Sequence, residues 1–150
     1  MTIEEAIYNR LTTGIETTWS ETEQTWELVE EAWEYNDFKE ITFPMRAPEL
    51  FPTPYVIYKR NSTSRWKNLR EHGSTFVVIF EFHIVSDSYS DCIAKREFIR
   101  ERFEDKIGAY DIGAPYVQAT DIVSEIDEFD EKTDEYEAVI EIEFTYNKEE

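Results

Sequence analysis

Few residues in this chain have the types that do chemistry, and their spacing keeps them apart. A zinc site needs three or four Cys, His or carboxylate ligands brought together, usually at short spacings. His72 and His83 are the only histidines and Cys92 the only cysteine, and no metal-ligand spacing joins them. A serine or cysteine nucleophile needs a base within hydrogen-bond reach, and no nucleophile motif supplies one here. Cys92 lies in an apolar stripe, the position of a small core residue. Gly14, Gly73, Gly108 and Gly113 make neither a phosphate-cradling loop nor a dinucleotide fingerprint. Asp127, Asp130 and Asp134 have the carboxylates of a calcium loop, but Phe129 and the missing glycine contradict an EF-hand. Asp87 and Asp91 could hold a divalent cation, and helix capping accounts for them more simply. No catalytic, cofactor or metal residue is assigned, and the chain reads as a non-enzyme that needs no cofactor.

Charge is the stronger signal. The net charge of −19 opposes general adhesion to nucleic acid. Its distribution is uneven. From Lys59 to Arg70 there are five basic residues and no acid, whereas from Asp121 onward thirteen acids face only Lys132 and Lys148. Lys59, Arg60, Arg65, Trp66, Lys67 and Arg70 are therefore assigned to a contact with an acidic surface of a neighbouring subunit or partner. Glu137, Glu141 and Glu143 give the last strand an acidic face, and carboxylates repel phosphate. An aromatic content of 15% argues against disorder, and 150 residues suffice for one domain with its own core. No apolar run reaches membrane-spanning length, the acidic N-terminus is unlike a secretory signal, and a single cysteine favours synthesis in a reducing compartment.

The elements that hold these residues are legible from periodicity. Phe76, Val78, Phe80, Phe82 and Ile84 alternate with a half-polar set, which predicts a strand inside a sheet. Ser88 and Asp91 then provide a helix start, and Cys92, Ile99, Phe103 and Ile107 form the stripe of a helix that Gly108 ends. On that wheel Phe98 falls opposite the stripe, one turn after Ala94 and among Asp91, Glu101, Arg102 and Asp105. An aromatic ringed by charge has the composition of an interface anchor, and Ala94 and Phe98 are assigned as such. Thr2 and Glu5 cap a helix over 2–13. Trp19, Trp26 and Trp33 stand seven apart, which predicts a helix over about 19–35. Its seam either packs on its own domain or is offered to a neighbour. Prolines from Pro44 to Pro54 mark an extended connector, Tyr55–Tyr58 a strand, and 59–74 a long basic loop. Residues 109–120 read as irregular. Residues 121–146 propose a hairpin whose last strand buries Tyr136, Ala138, Ile140, Ile142, Phe144 and Tyr146 and leaves an acidic face wet.

Several stretches resemble one family. MTIEEAIYNRLT at the start, Phe43–Arg60 (FPMRAPELFPTPYVIYKR), Phe80–Ile99 (FEFHIVSDSYSDCIAKREFI) and the alternating strand Tyr136–Tyr146 are similar, in this order, to the tail-completion proteins of long-tailed phages, which include tail terminators and tail-to-head joining proteins. The resemblance implies an α+β domain over 1–150, a mainly antiparallel sheet of about four strands with helices packed against it. Ile15–Lys39 departs from the family pattern and reads as a Trp-rich helical insertion. The resemblance further implies a hexameric ring at the head-proximal end of the tail. Its partners would be other copies of itself, the tail tube protein, the head connector and DNA that passes without specific binding, with Glu137, Glu141 and Glu143 as candidates for the surface that faces the passing DNA. The place would be the virion, with synthesis in the host cytoplasm and no membrane. The second function class is an acidic regulatory or inhibitory binding protein that mimics nucleic-acid charge, which would be a stable monomer or dimer rather than a ring.

Overall fold

The N-terminal helix starts where its cap dictates. Thr2 Oγ1 accepts from the Glu5 N–H at 3.2 Å, and helix α1 (Ile3–Thr12) turns Ile3, Ala6, Ile7 and Leu11 inward. The computed structural model describes residues 1–13, 15–30, 36–67 and 74–148, with side chains described for 1–13, 19–27, 38–63 and 75–147. Strands β1 (Ile15–Ser20) and β2 (Thr25–Glu30) follow, then the single-turn helix α2 (Asn36–Lys39) and the short strand β3 (Thr42–Pro44). Long strands β4 (Tyr55–Lys67) and β5 (Ser74–Ser86) lead into helix α3 (Tyr89–Phe103). The two-residue strand β6 (Gly108–Ala109) precedes β7 (Tyr116–Asp130) and β8 (Glu135–Lys148).

Six strands form one mixed sheet in the order β3-β4-β5-β8-β7-β6, and β1 and β2 make a separate hairpin. Only β3 and β4 run parallel in the six-stranded sheet. Strict alternation on the two central strands sets the register, since a slip of one residue would turn every apolar side chain outward. Phe80 stands opposite Ile142, Phe82 opposite Ile140 and Val78 opposite Phe144. Those six are fully or almost fully buried and pack with Ile7 and Leu11 of α1 and Cys92, Ile99 and Phe103 of α3. Phe103 sits at the centre, stacked on Phe82 at 5.6 Å and edge-on to Phe144 at 5.4 Å. Among the described residues, the helical packing is thus on one face of the sheet.

The expected α+β fold with about four antiparallel strands is overturned: the chain is mainly β, and its main sheet has six strands and a parallel pair. Three local readings account for the difference. Residues 19–30 belong to a hairpin, not a helix: Trp19 is the cross-strand partner of Trp26, and the rings meet edge-on at 5.5 Å. Trp33 lies outside the described residues. Most of the basic stretch is strand rather than loop, because β4 runs on to Lys67 against β5, with a bulge between Arg60 and Ser62. Part of 109–120 is also paired, through β6 and the start of β7. Helix α3 stops at Phe103, short of Gly108, so Ile107 is 61% exposed instead of in the core. At its start Ser88 Oγ accepts from the Asp91 N–H at 3.4 Å as expected, while the Asp91 carboxylate accepts from Ser86 and Lys95. Arg102, expected on a charged surface, is 1% exposed: its Nε donates to the Arg10 carbonyl (2.8 Å) as Arg10 Nε donates to the Arg102 carbonyl (2.7 Å).

Candidate assembly surface

The second face of the sheet collects what the helices leave uncovered. On β5 it presents Val77, Ile79, Glu81, His83 and Val85, and on β8 Glu137, Val139, Glu141, Glu143 and Thr145; most are partly exposed. Glu81 and Glu141 are direct cross-strand partners, a like-charge pair that by itself opposes pairing. Cations beside it offset this. His83 Nδ1 donates to Glu137 Oε1 at 2.5 Å and Nε2 to Glu81 Oε2 at 3.0 Å, and Lys59 Nζ lies 3.4 Å from the same Glu81 oxygen. A histidine with a carboxylate on each nitrogen holds its proton. The Glu137 hydrogen bond raises the His83 pKa against the effect of burial, and the His83 hydrogen bond holds Glu81 below the ordinary carboxylate range.

The residues assigned from sequence fall into three places. Lys59 and Arg60 lie on β4, Lys59 paired with Glu81 and Arg60 with Glu4 of α1. Arg65, Trp66 and Lys67 continue the same strand opposite Phe76, Thr75 and Ser74; their side chains, and all of Arg70, lie outside the described residues. Glu137, Glu141 and Glu143 do share one sheet face, though Glu137 is engaged by His83. Ala94 and Phe98 are on α3, away from that face. Ala94 is exposed, whereas Phe98 is half-buried and stacks on Phe38 at 4.6 Å, so part of its ring serves the fold of its own subunit.

No family description and no curated protein matches this chain. Among solved structures, the fold is similar to a chain of the "Virion of native gene transfer agent (GTA) particle". The match has a TM-score of 0.64 and 11% identity, and covers 97% of this chain and 95% of that one. The likeness is one of fold. It spans both chains almost end to end, so the whole sheet with its helices, and not a fragment of it, is what this chain and the virion component have in common.

Sequence reasoning missed how α3 is fastened to β7. Arg96 pairs with Asp127 and donates to the Ile126 carbonyl at 3.2 Å; Tyr89 Oη donates to Asp127 at 2.7 Å; Arg100 bridges Glu104 (3.0 Å) and Glu125 (2.9 Å). Arg96 and Arg100 are one helical turn apart, and Glu125 and Asp127 share a strand face. That i,i+4 against i,i+2 match was the available signal. Near the β7–β8 turn the surface opens into a depression of about 610 Å³ lined by Tyr55, Phe129, Glu131, Glu135 and Glu137. Its carboxylates give it an acidic rim.

Proposed function

We propose that this chain is a virion structural protein that assembles as a hexameric ring at the head-proximal end of a phage-type tail, joins tail to head and lets DNA through. What carries the reading is the likeness of fold, over nearly the full length of both chains, to a component of a gene transfer agent virion. The sequence resemblance to tail-completion proteins supports the finer position. In this reading the basic stretch Lys59, Arg60, Arg65, Trp66, Lys67 and Arg70 meets a neighbouring subunit or the head and tail partners, and the surface around Ala94 and Phe98 adds a contact. Glu137, Glu141 and Glu143 face the lumen, where carboxylates keep DNA from sticking. The partners are the tail tube and the head connector, the location is the virion, and no catalysis is required.

Particles made without the chain test this. Filled heads and separate, unjoined tails are expected, with joining restored when the wild-type chain is supplied. Joined, infectious particles in its absence would overturn the reading.

A further inference from the structure

The sheet ends in two incompletely paired edges, and they match each other. β3 covers β4 only over Val56–Tyr58, and β6 covers β7 only at Tyr116 and Val117. Among the described residues, no strand pairs with the outer side of β4 from Lys59 on, or of β7 from Ala119 on. At the far end of β7, Arg96 already occupies the Ile126 carbonyl, so the open part is about Ala119–Glu125. Exposed edges of this kind pair with another chain unless something prevents it.

We propose that successive copies join edge to edge, β4 of one copy adding to β7 of the next as an antiparallel ladder that carries the sheet around the ring. The inference rests on the ring reading above and supplies the joint for it. Height along the strands agrees. Following the ladders across the sheet, Ser62 is level with Ile79, Glu143 and Asp121, and Thr63 with Val78, Phe144 and Thr120. The open parts of the two edges therefore lie at one level. Direction agrees as well. β4, β5, β8 and β7 are antiparallel in succession, so β4 and β7 run oppositely. Rotation about an axis along the strands preserves direction and brings β7 of one copy antiparallel to β4 of the next.

Charge selects this pairing over the others. β4 from Lys59 to Lys67 carries Lys59, Arg60, Arg65 and Lys67 and no acid. β7 carries Asp121 and Glu125 in its open part, then Asp127, Glu128 and Asp130, and no base; Glu125 and Asp127 also have partners within the subunit, Arg100 and Arg96 of α3. Two β4 edges repel each other, as do two β7 edges, which disfavours a two-fold dimer. A β4 edge attracts a β7 edge, and a head-to-tail contact of that kind is the one that closes into a ring. Lys59 and Arg60 have partners within the subunit, Glu81 and Glu4, but these pairs are partly exposed and weak enough to rearrange. The bulge after Arg60 and the two in β7 restrict the register that the edges can adopt.

Two charge-reversed proteins test the joint. One carries Arg60→Glu, Arg65→Glu and Lys67→Glu, leaving both edges without net positive charge; the other carries Asp121→Lys and Val123→Lys, both at exposed sites, which leaves the open part Ala119–Glu125 with one net positive charge against its own basic β4. Each alone should lose the assembled species on light scattering while melting like the wild type. An equimolar mixture should recover it as alternating rings with an even number of subunits. A second measurement guards against misfolding. Thr63→Cys with Gln118→Cys, both exposed sites, in otherwise wild-type protein should give a ladder of covalent oligomers with a short bismaleimide, and neither single variant should. Wild-type rings that persist in both reversed variants, with no ladder from the double-cysteine protein, would overturn edge pairing and leave the ring standing. A wild-type chain that stays monomeric in solution and forms no ring in particles would overturn both.

Discussion

His83 holds a proton between Glu81 and Glu137, and this gives the open sheet face a pH signature. Its folded pKa lies above the ordinary histidine value, so the stability it contributes is complete below its unfolded pKa and is lost as pH rises through the folded one. Glu81 behaves oppositely: its folded pKa is lowered, so its contribution is present above the unfolded carboxylate value and is lost as pH falls through the folded one. Melting temperature should therefore decline once pH passes above the ordinary histidine range, and His83→Gln should flatten that decline. An identical alkaline limb in the variant would show that the proton is not held there. The two phenylalanines of α3 separate as well. Phe103→Ala empties a fully buried site and should destabilise the subunit by about 3–5 kcal/mol. Phe98→Ala removes a half-buried ring stacked on Phe38, for about 1–2 kcal/mol in subunit melting. Any further loss in assembly, read by light scattering on the same variant, measures the interface role proposed for Phe98.

Among the elements, the β1–β2 hairpin is held at one point that can be tested. Gly108 has φ +115°, and a Cβ built there would come within 2.6 Å of Trp26 Cη2. Trp26 also contacts Trp19 at 5.5 Å and Tyr116 at 6.0 Å. The glycine thus serves two needs, a left-handed backbone that side chains disfavour and room for an indole. Gly108→Ala should cost about 1–3 kcal/mol and shift tryptophan emission to longer wavelength as the hairpin lifts. In a Trp26→Ala background the same substitution should cost less, because only the backbone strain remains. Equal costs in both backgrounds would mean that the indole is not what the missing side chain makes room for.

For the whole molecule, the acidic sheet face is the feature that the proposed ring must use. Glu141 and Glu143 are the residues with which to test a lumen position, since Glu137 is needed beside His83 and a lysine there would face an imidazolium. Glu141→Lys with Glu143→Lys should leave tail joining intact and slow or block DNA ejection, because ammonium groups hold phosphates. Ejection at the wild-type rate from such particles would place this face elsewhere than the lumen.

The sequence alone determined what depends on neighbours along the chain. The caps at Thr2 and Ser88, the alternation of Phe76–Ile84 and of Tyr136–Tyr146, and the hairpin of 121–146 are all local patterns, and they stand where they were read. Tertiary structure decided what depends on a partner strand. A spacing of seven places Trp19 and Trp26 on one helix face, and it equally sets them opposite each other across the turn Glu21–Gln24; the choice rests on cross-strand pairing. The polar run of β4 lacks the apolar alternation that marks a strand, and it is extended because β5 supplies its hydrogen bonds. His83 and Glu137 are 54 residues apart, and Arg10 and Arg102 are 92 apart. Such pairs exist only once the register of the sheet and the crossing of α1 on α3 are fixed, and burial of the apolar face fixes both.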